Sequence, residues 1–157
     1  MGGKLPGISS YDISASGGNQ GTAGVSSFTA RLMWQSGGFI TPYAYTAENL
    51  SRWGTIYGTG FGKSLPLSTD IWYKIEQIVT LNDVTKSNGS CQILVNGVVL
   101  CDIKDVIWRT SADLYIEGVF MSSFFGGHTG VDGTDDTYET MVNTTVDFSD
   151  LEFYVLG

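Results

Sequence analysis

The sequence predicts one all-β domain, an antiparallel jelly-roll-like sandwich. Three observations predict it. Apolar residues recur at every second position, and no long window shows the 3.6-residue period of a capped helix. Glycine makes up 21 of the 157 residues, about twice the usual share of ~7%, as many tight turns require. Short runs rich in Val, Ile, Phe, Tyr and Trp are separated by Gly, Asn, Asp and Ser, the pattern of a sandwich or barrel. A chain of 157 residues has room for a single core, and 42% hydrophobic residues exclude a disordered chain.

In order, the predicted strands are Phe28–Gln35, Phe39–Thr46, Ile71–Asn82, Cys91–Val95, Val98–Ile103, Asp113–Phe124 and Val146–Leu156. In the first, one face carries Phe28, Ala30, Leu32 and Trp34, and the other Thr29, Arg31, Met33 and Gln35. In the second, Ile40, Pro42 and Ala44 share one face, and Phe39, Thr41, Tyr43 and Tyr45 the other. Ser36-Gly37-Gly38 suits a three-residue hairpin loop. Pairing across it sets Gln35 by Phe39, Met33 by Thr41, Arg31 by Tyr43 and Thr29 by Tyr45. The two apolar faces then coincide as core, while the opposite face gathers a guanidinium, hydroxyls and two phenols. That face reads either as a solvated sheet surface or as a saccharide groove, since phenols offer flat apolar area and arginine grips carboxylates. Pro42 lacks a ladder donor, so its strand is expected at an edge or a bulge. Thr46–Trp53 has room for one short helical turn.

Glu76 and Glu117 sit within predicted strands; they suit a paired-carboxylate glycosidase only if both point inward, and fit equally as solvent-facing residues. Asn96-Gly97 between two apolar runs is a strong hairpin signal. A two-residue turn pairs Val95 with Val98 and Gln92 with Cys101, which puts Cys91 and Cys101 on opposite faces. A bulge or a three-residue loop would shift the register by one and set the two cysteines opposite each other. Two separate buried thiols and a disulfide both stay open. Trp34, Trp72 and Trp108 read as core, and Trp53, in a Gly-flanked loop, as the one candidate sugar platform.

Charge narrows the function classes. With 8 Lys+Arg against 16 Asp+Glu the chain carries −8, and no basic stripe exists for nucleic acid. The single histidine, His128, rules out a His-pair metal site and makes a Ser-His-Asp triad a poor fit. Asp132-Gly-Thr-Asp135-Asp136 lacks the spacing of a calcium loop, so no metal or other cofactor is expected. No window approaches ~18 consecutive apolar residues, so no membrane span is expected, nor does Met1–Gly7 read as a signal peptide. Three sequons, at Asn49, Asn88 and Asn143, fall in predicted loops and tilt the location toward an extracellular one.

Several segments occur in a telling order: Gly2-Gly-Lys4-Leu-Pro-Gly7, Phe28-Thr-Ala-Arg31-Leu-Met-Trp34, Tyr43-Ala-Tyr45, Phe124-Phe-Gly-Gly127 and Asp136-Thr-Tyr138. Together they resemble polysaccharide lyase family 14, the alginate and glucuronan lyases, over nearly the whole chain. The resemblance implies a β-jelly roll that cleaves an acidic, uronate-containing polysaccharide by β-elimination. It also implies the catalytic residues. Lys4 matches the family's lysine, and Thr29 and Arg31 match its serine and arginine. Tyr43 and Tyr45 match its Y-x-Y tyrosines.

The reaction removes the C5 proton of a uronate and expels the group on O4, so the carboxylate must first be neutralised. Arg31 suits that task. Lys4 suits it too, or serves as an alternative base. Tyr43 and Tyr45 are expected as base and acid, with the Arg31 charge lowering the phenol pKa. Thr29 is expected as an orienting hydroxyl. The alternative is a non-catalytic carbohydrate-binding or self-assembling module with the same face. Family members carry several dozen residues of jelly roll before the K-L-P-G segment. The domain is therefore expected to be incomplete at its N-terminus, and to associate with further copies by strand pairing.

Overall fold

The computed structural model describes residues 2–10, 12, 15–16, 23–35, 38–49, 52–57, 66–125 and 145–154. Among them are nine strands and no helix: β1 Gly3–Ser9, β2 Thr29–Gln35, β3 Phe39–Tyr45, β4 Thr55–Ile56, β5 Ile75–Thr80, β6 Gly89–Val95, β7 Val98–Val106, β8 Gly118–Phe120 and β9 Phe124–Phe125. The larger sheet runs β4-β3-β2-β1-β8, with β9 also on β1, and the smaller one runs β5-β6-β7. All their pairings are antiparallel.

The core lies between the two sheets. Leu5, Phe28, Ala30, Leu32, Ile40 and Ala44 from the larger sheet meet Cys91, Ile93, Cys101, Val106 and Trp108 from the smaller one and its continuation. Phe28 and Trp108 pack as a tilted ring pair 6.0 Å apart. The alternation in β2 and β3 buries the faces that the sequence assigns to the core. Their register is also the expected one, with Gln35 opposite Phe39, Arg31 opposite Tyr43 and Thr29 opposite Tyr45. Three residues therefore separate the strands, as faces in phase require. Pro42 is tolerated because β4 pairs only with Tyr43 and Ala44, leaving most of that side of β3 without a ladder.

Strand β1 was not expected, because its glycines and Pro6 are poor strand formers. Its register slips between Lys4 and Gly7, so Pro6 sits at an irregularity where a missing N–H does no harm. Gly7 is needed for close approach: a Cβ there would collide with the Ala30 carbonyl. β4 was likewise missed, being only two residues long.

Other boundaries differ for local reasons. Ile71–Lys74 stay out of the sheet because β6 ends at Val95, opposite Ile75, and Trp72 is left 67% exposed rather than in the core. Residues 113–117 are not strand; the Arg109 guanidinium takes the Leu114 carbonyl at 2.6 Å and Ser111–Leu114 closes a turn. β7 runs three residues further than expected. Thr46–Trp53 contains a turn, with the Asn49 N–H donating to the Thr46 carbonyl, and no helix among its described residues. Residues 145–154 carry no ladder, although Val146–Leu156 has a strand-like pattern. Glu76 pairs with Lys74 and Glu117 is exposed, so neither is an inward carboxylate.

In the β6–β7 hairpin, Asn96 and Gly97 both take left-handed backbone, φ 51° and 78°, as a two-residue turn of this kind requires. A bulge follows, but in the opposite sense to the one that would join the thiols. It sets Cys101 opposite Ile93 and Cys91 opposite Ile103. Both cysteines therefore face the core, offset by two residue pairs along the ladder, and both are free. Burial pushes Cys91 up to about 12 and Cys101 up to about 11. We expect neither thiol to react with a maleimide in the native state, and both to react after denaturation, read by mass spectrometry.

Asn49 is buried, and its amide reaches the Trp53 carbonyl at 3.0 Å, so it does not present a glycan acceptor as its sequon implies. Asn88 is exposed. Ser36, Gly37, His128, the Asp132–Asp136 loop, Tyr138 and Asn143 lie outside the described residues.

Candidate active site

The expected cluster assembles on the outer face of the larger sheet, opposite the core. β1 contributes Lys4, β2 contributes Thr29, Arg31 and Met33, and β3 contributes Tyr43 and Tyr45. Register brings them together: Lys4 lies opposite Met33, Arg31 opposite Tyr43 and Thr29 opposite Tyr45. This is not a solvated sheet surface. Each of the six side chains is less than a tenth exposed.

The Lys4 ammonium sits 3.9 Å from the centroid of the Tyr43 ring and donates to the Met33 sulfur at 3.4 Å. Both neighbours are weak substitutes for water. Burial, and secondarily the Arg31 charge, bring its pKa down to about 8. Met33 lies on the face that the sequence predicts for it, though the sequence alone gives it no role. Its signal was its place two residues after Arg31, on a face otherwise made of polar and phenolic groups.

Arg31 is held by its own strand's neighbours. Its Nε donates to the Leu5 carbonyl at 3.1 Å and its Nη2 to the Ser122 carbonyl at 2.5 Å. The Phe120 and Phe124 rings flank it at 4.6 and 5.2 Å. These contacts fix the guanidinium plane. Burial lowers its pKa, offset by Tyr43 and Tyr45, yet a guanidinium stays charged at any working pH.

Tyr43 and Tyr45 meet edge to face, with centroids 5.7 Å apart. The Tyr43 hydroxyl donates to that of Tyr45 at 3.4 Å and accepts the Gly54 N–H at 3.0 Å. The Arg31 charge pulls the Tyr43 pKa down as expected, but other influences outweigh it. Burial and the bond to Tyr45 raise it far above the usual phenol range, and the Arg31 charge is a smaller opposing influence. This environment favours the protonated phenol. The Thr29 hydroxyl donates to the Ala15 carbonyl at 3.0 Å, at the Tyr45 end of the face.

The outer face of the larger sheet of this β-sandwich thus gathers a buried amine, a guanidinium and two phenols. The family model for polysaccharide lyase 14 matches residues 1–151, and the chain belongs to that family. The structure is similar to the marine PL-14 alginate lyase from Aplysia kurodai, with 28% identity and a TM-score of 0.70 over 82% of this chain and 55% of that one. It is similar to alginate lyase vAL-1 from Chlorella virus, with 27% identity and a TM-score of 0.65 over 80% and 55%. It is also similar to a doubly substituted alginate lyase Aly36B in complex with alginate trisaccharide, with 26% identity and a TM-score of 0.68 over 81% and 54%. The chain thus spans about half the length of these solved relatives. No curated protein sequence matches it.

Proposed function

We propose that the chain is a lyase that cleaves a uronate polymer of the alginate type by β-elimination. One observation carries the reading: an amine whose pKa falls to about 8 shares a buried face with a fixed guanidinium and a protonated phenol. Membership of the lyase family and the likeness to alginate lyases support it. Arg31 meets the uronate carboxylate and offsets the charge that builds as C5 loses its proton. Neutral Lys4 takes that proton. The C5–H electron pair becomes the C4=C5 double bond, the C4–O4 bond breaks, and the Tyr43–Tyr45 pair supplies the proton to O4. Lys4 is thus the base and the tyrosines the acid. Thr29 orients the face through its bond beside Tyr45.

Ultraviolet absorbance tests the reading on alginate, glucuronan and hyaluronan, because elimination leaves an absorbing unsaturated uronate. A rise on at least one polymer is expected. Binding with no rise on any would make the chain a carbohydrate-binding module instead.

We also propose self-association through residues 146–153. Val146, Phe148, Leu151 and Phe153 are exposed apolar side chains in a segment that carries no ladder. Light scattering at micromolar concentration is expected to give a mass above that of one chain; a stable monomer with a cooperative melt contradicts this.

A further inference from the structure

The geometry points to a second sugar subsite at Arg52 and Trp53, taking a uronate unit of the same polymer beside the one that reacts. The inference rests on the lyase reading and names where its substrate extends.

Trp53 is 50% exposed, and the Arg52 guanidinium lies 4.6 Å from the centroid of its ring. A chain carrying −8 repels a polyanion in general, so an exposed cation stacked on an exposed indole marks where one is welcome. The pair is not on a loose loop. Buried Asn49 donates to the Trp53 carbonyl at 3.0 Å, while its own oxygen accepts from the Thr46 N–H and hydroxyl at 3.0 and 2.9 Å. The next residue, Gly54, gives its N–H to the Tyr43 hydroxyl at 3.0 Å. One peptide step, ~3.8 Å between Cα atoms, therefore separates the indole's backbone from a residue bonded to the acid pair.

The two side chains match the two halves of one ligand. An indole accepts the C–H face of a pyranose, and a guanidinium grips a carboxylate through two parallel hydrogen bonds. A neutral sugar would use only the first, and a simple anion only the second; a uronate uses both. The stacking also holds the arginine side chain in place before the ligand arrives, which lowers the entropy lost on binding.

The test compares wild type with Trp53→Ala, Arg52→Ala and, as a control, Trp72→Ala, an exposed tryptophan away from the site. Kinetics on polymeric alginate are read by absorbance, and affinity for alginate oligosaccharides by calorimetry. Trp53→Ala and Arg52→Ala are each expected to raise KM about tenfold, with kcat falling far less, while Trp72→Ala leaves KM unchanged. Unchanged KM in both site variants, or an equal change in the control, overturns the subsite. If the wild type binds but does not cleave, the lyase reading fails separately, and calorimetry decides: about tenfold weaker binding in the two variants upholds the subsite. Equal binding, or no binding by the wild type, overturns it.

Discussion

Lys4→Ala is expected to lower kcat on alginate by about 10²–10⁴-fold, the range for loss of a positioned base. The same substitution tests the energetics of the site. The Lys4 pKa is about 8 when folded and near 10.5 when exposed. Below pH 8 both states are protonated, and the folded state bears the full disadvantage of a buried ammonium. Stability therefore rises with pH between about 8 and 10.5, where the unfolded chain holds more protons than the folded one. Lys4→Met fills the space with an apolar chain and removes that disadvantage. Its melting temperature at pH 7 is expected above that of wild type, by roughly 2–4 °C for each kcal/mol recovered. An inactive, more stable protein is the signature of a lysine kept for chemistry rather than for folding. If Lys4→Met loses stability and retains turnover, the role assigned to the amine is wrong.

Arg31→Ala is expected to lower kcat by about 10²–10³-fold, as for removal of a fixed stabiliser of developing negative charge. Unlike the lysine variant it should also destabilise the fold. The buried Leu5 carbonyl loses its guanidinium donor, at ~1–3 kcal/mol if left unpaired, and the half-buried Ser122 carbonyl loses its own. Arg31→Lys keeps the charge but not the planar fork that spans both carbonyls, so it should recover little of either quantity. Steady-state kinetics and thermal melts on the two variants check this. Wild-type kcat in Arg31→Lys would mean that a positive charge alone suffices.

The site was legible wherever two-residue periodicity and hairpin phase decide the answer. Phe28, Ala30 and Leu32 alternate with Thr29, Arg31 and Met33, and the odd loop keeps Ile40 and Ala44 on the same side. That alone brings Arg31 to Tyr43. What was not legible depends on tertiary context. β1 is a strand because neighbouring strands accept its glycines and Pro6, against local propensity. A bulge that no turn residue announces turns both cysteines to the core face but leaves them out of register with each other. The Tyr43 pKa could not be foreseen from its cross-strand arginine, because the sign follows from burial, and burial depends on packing far along the chain. The role of Met33 beside Lys4 needed β1 to be placed first.

The pH dependence of kcat/KM on alginate reads the roles of Lys4 and Tyr43 together, because it reports the free enzyme's essential base and acid. The rate is expected to climb with pH and reach half its maximum at about 8, as Lys4 becomes neutral. The decline comes only at more alkaline pH, since burial keeps Tyr43 protonated well beyond the usual phenol range. A rate already at its plateau by about pH 6, with an ascending limb near the ~4 of a carboxylate, would contradict it.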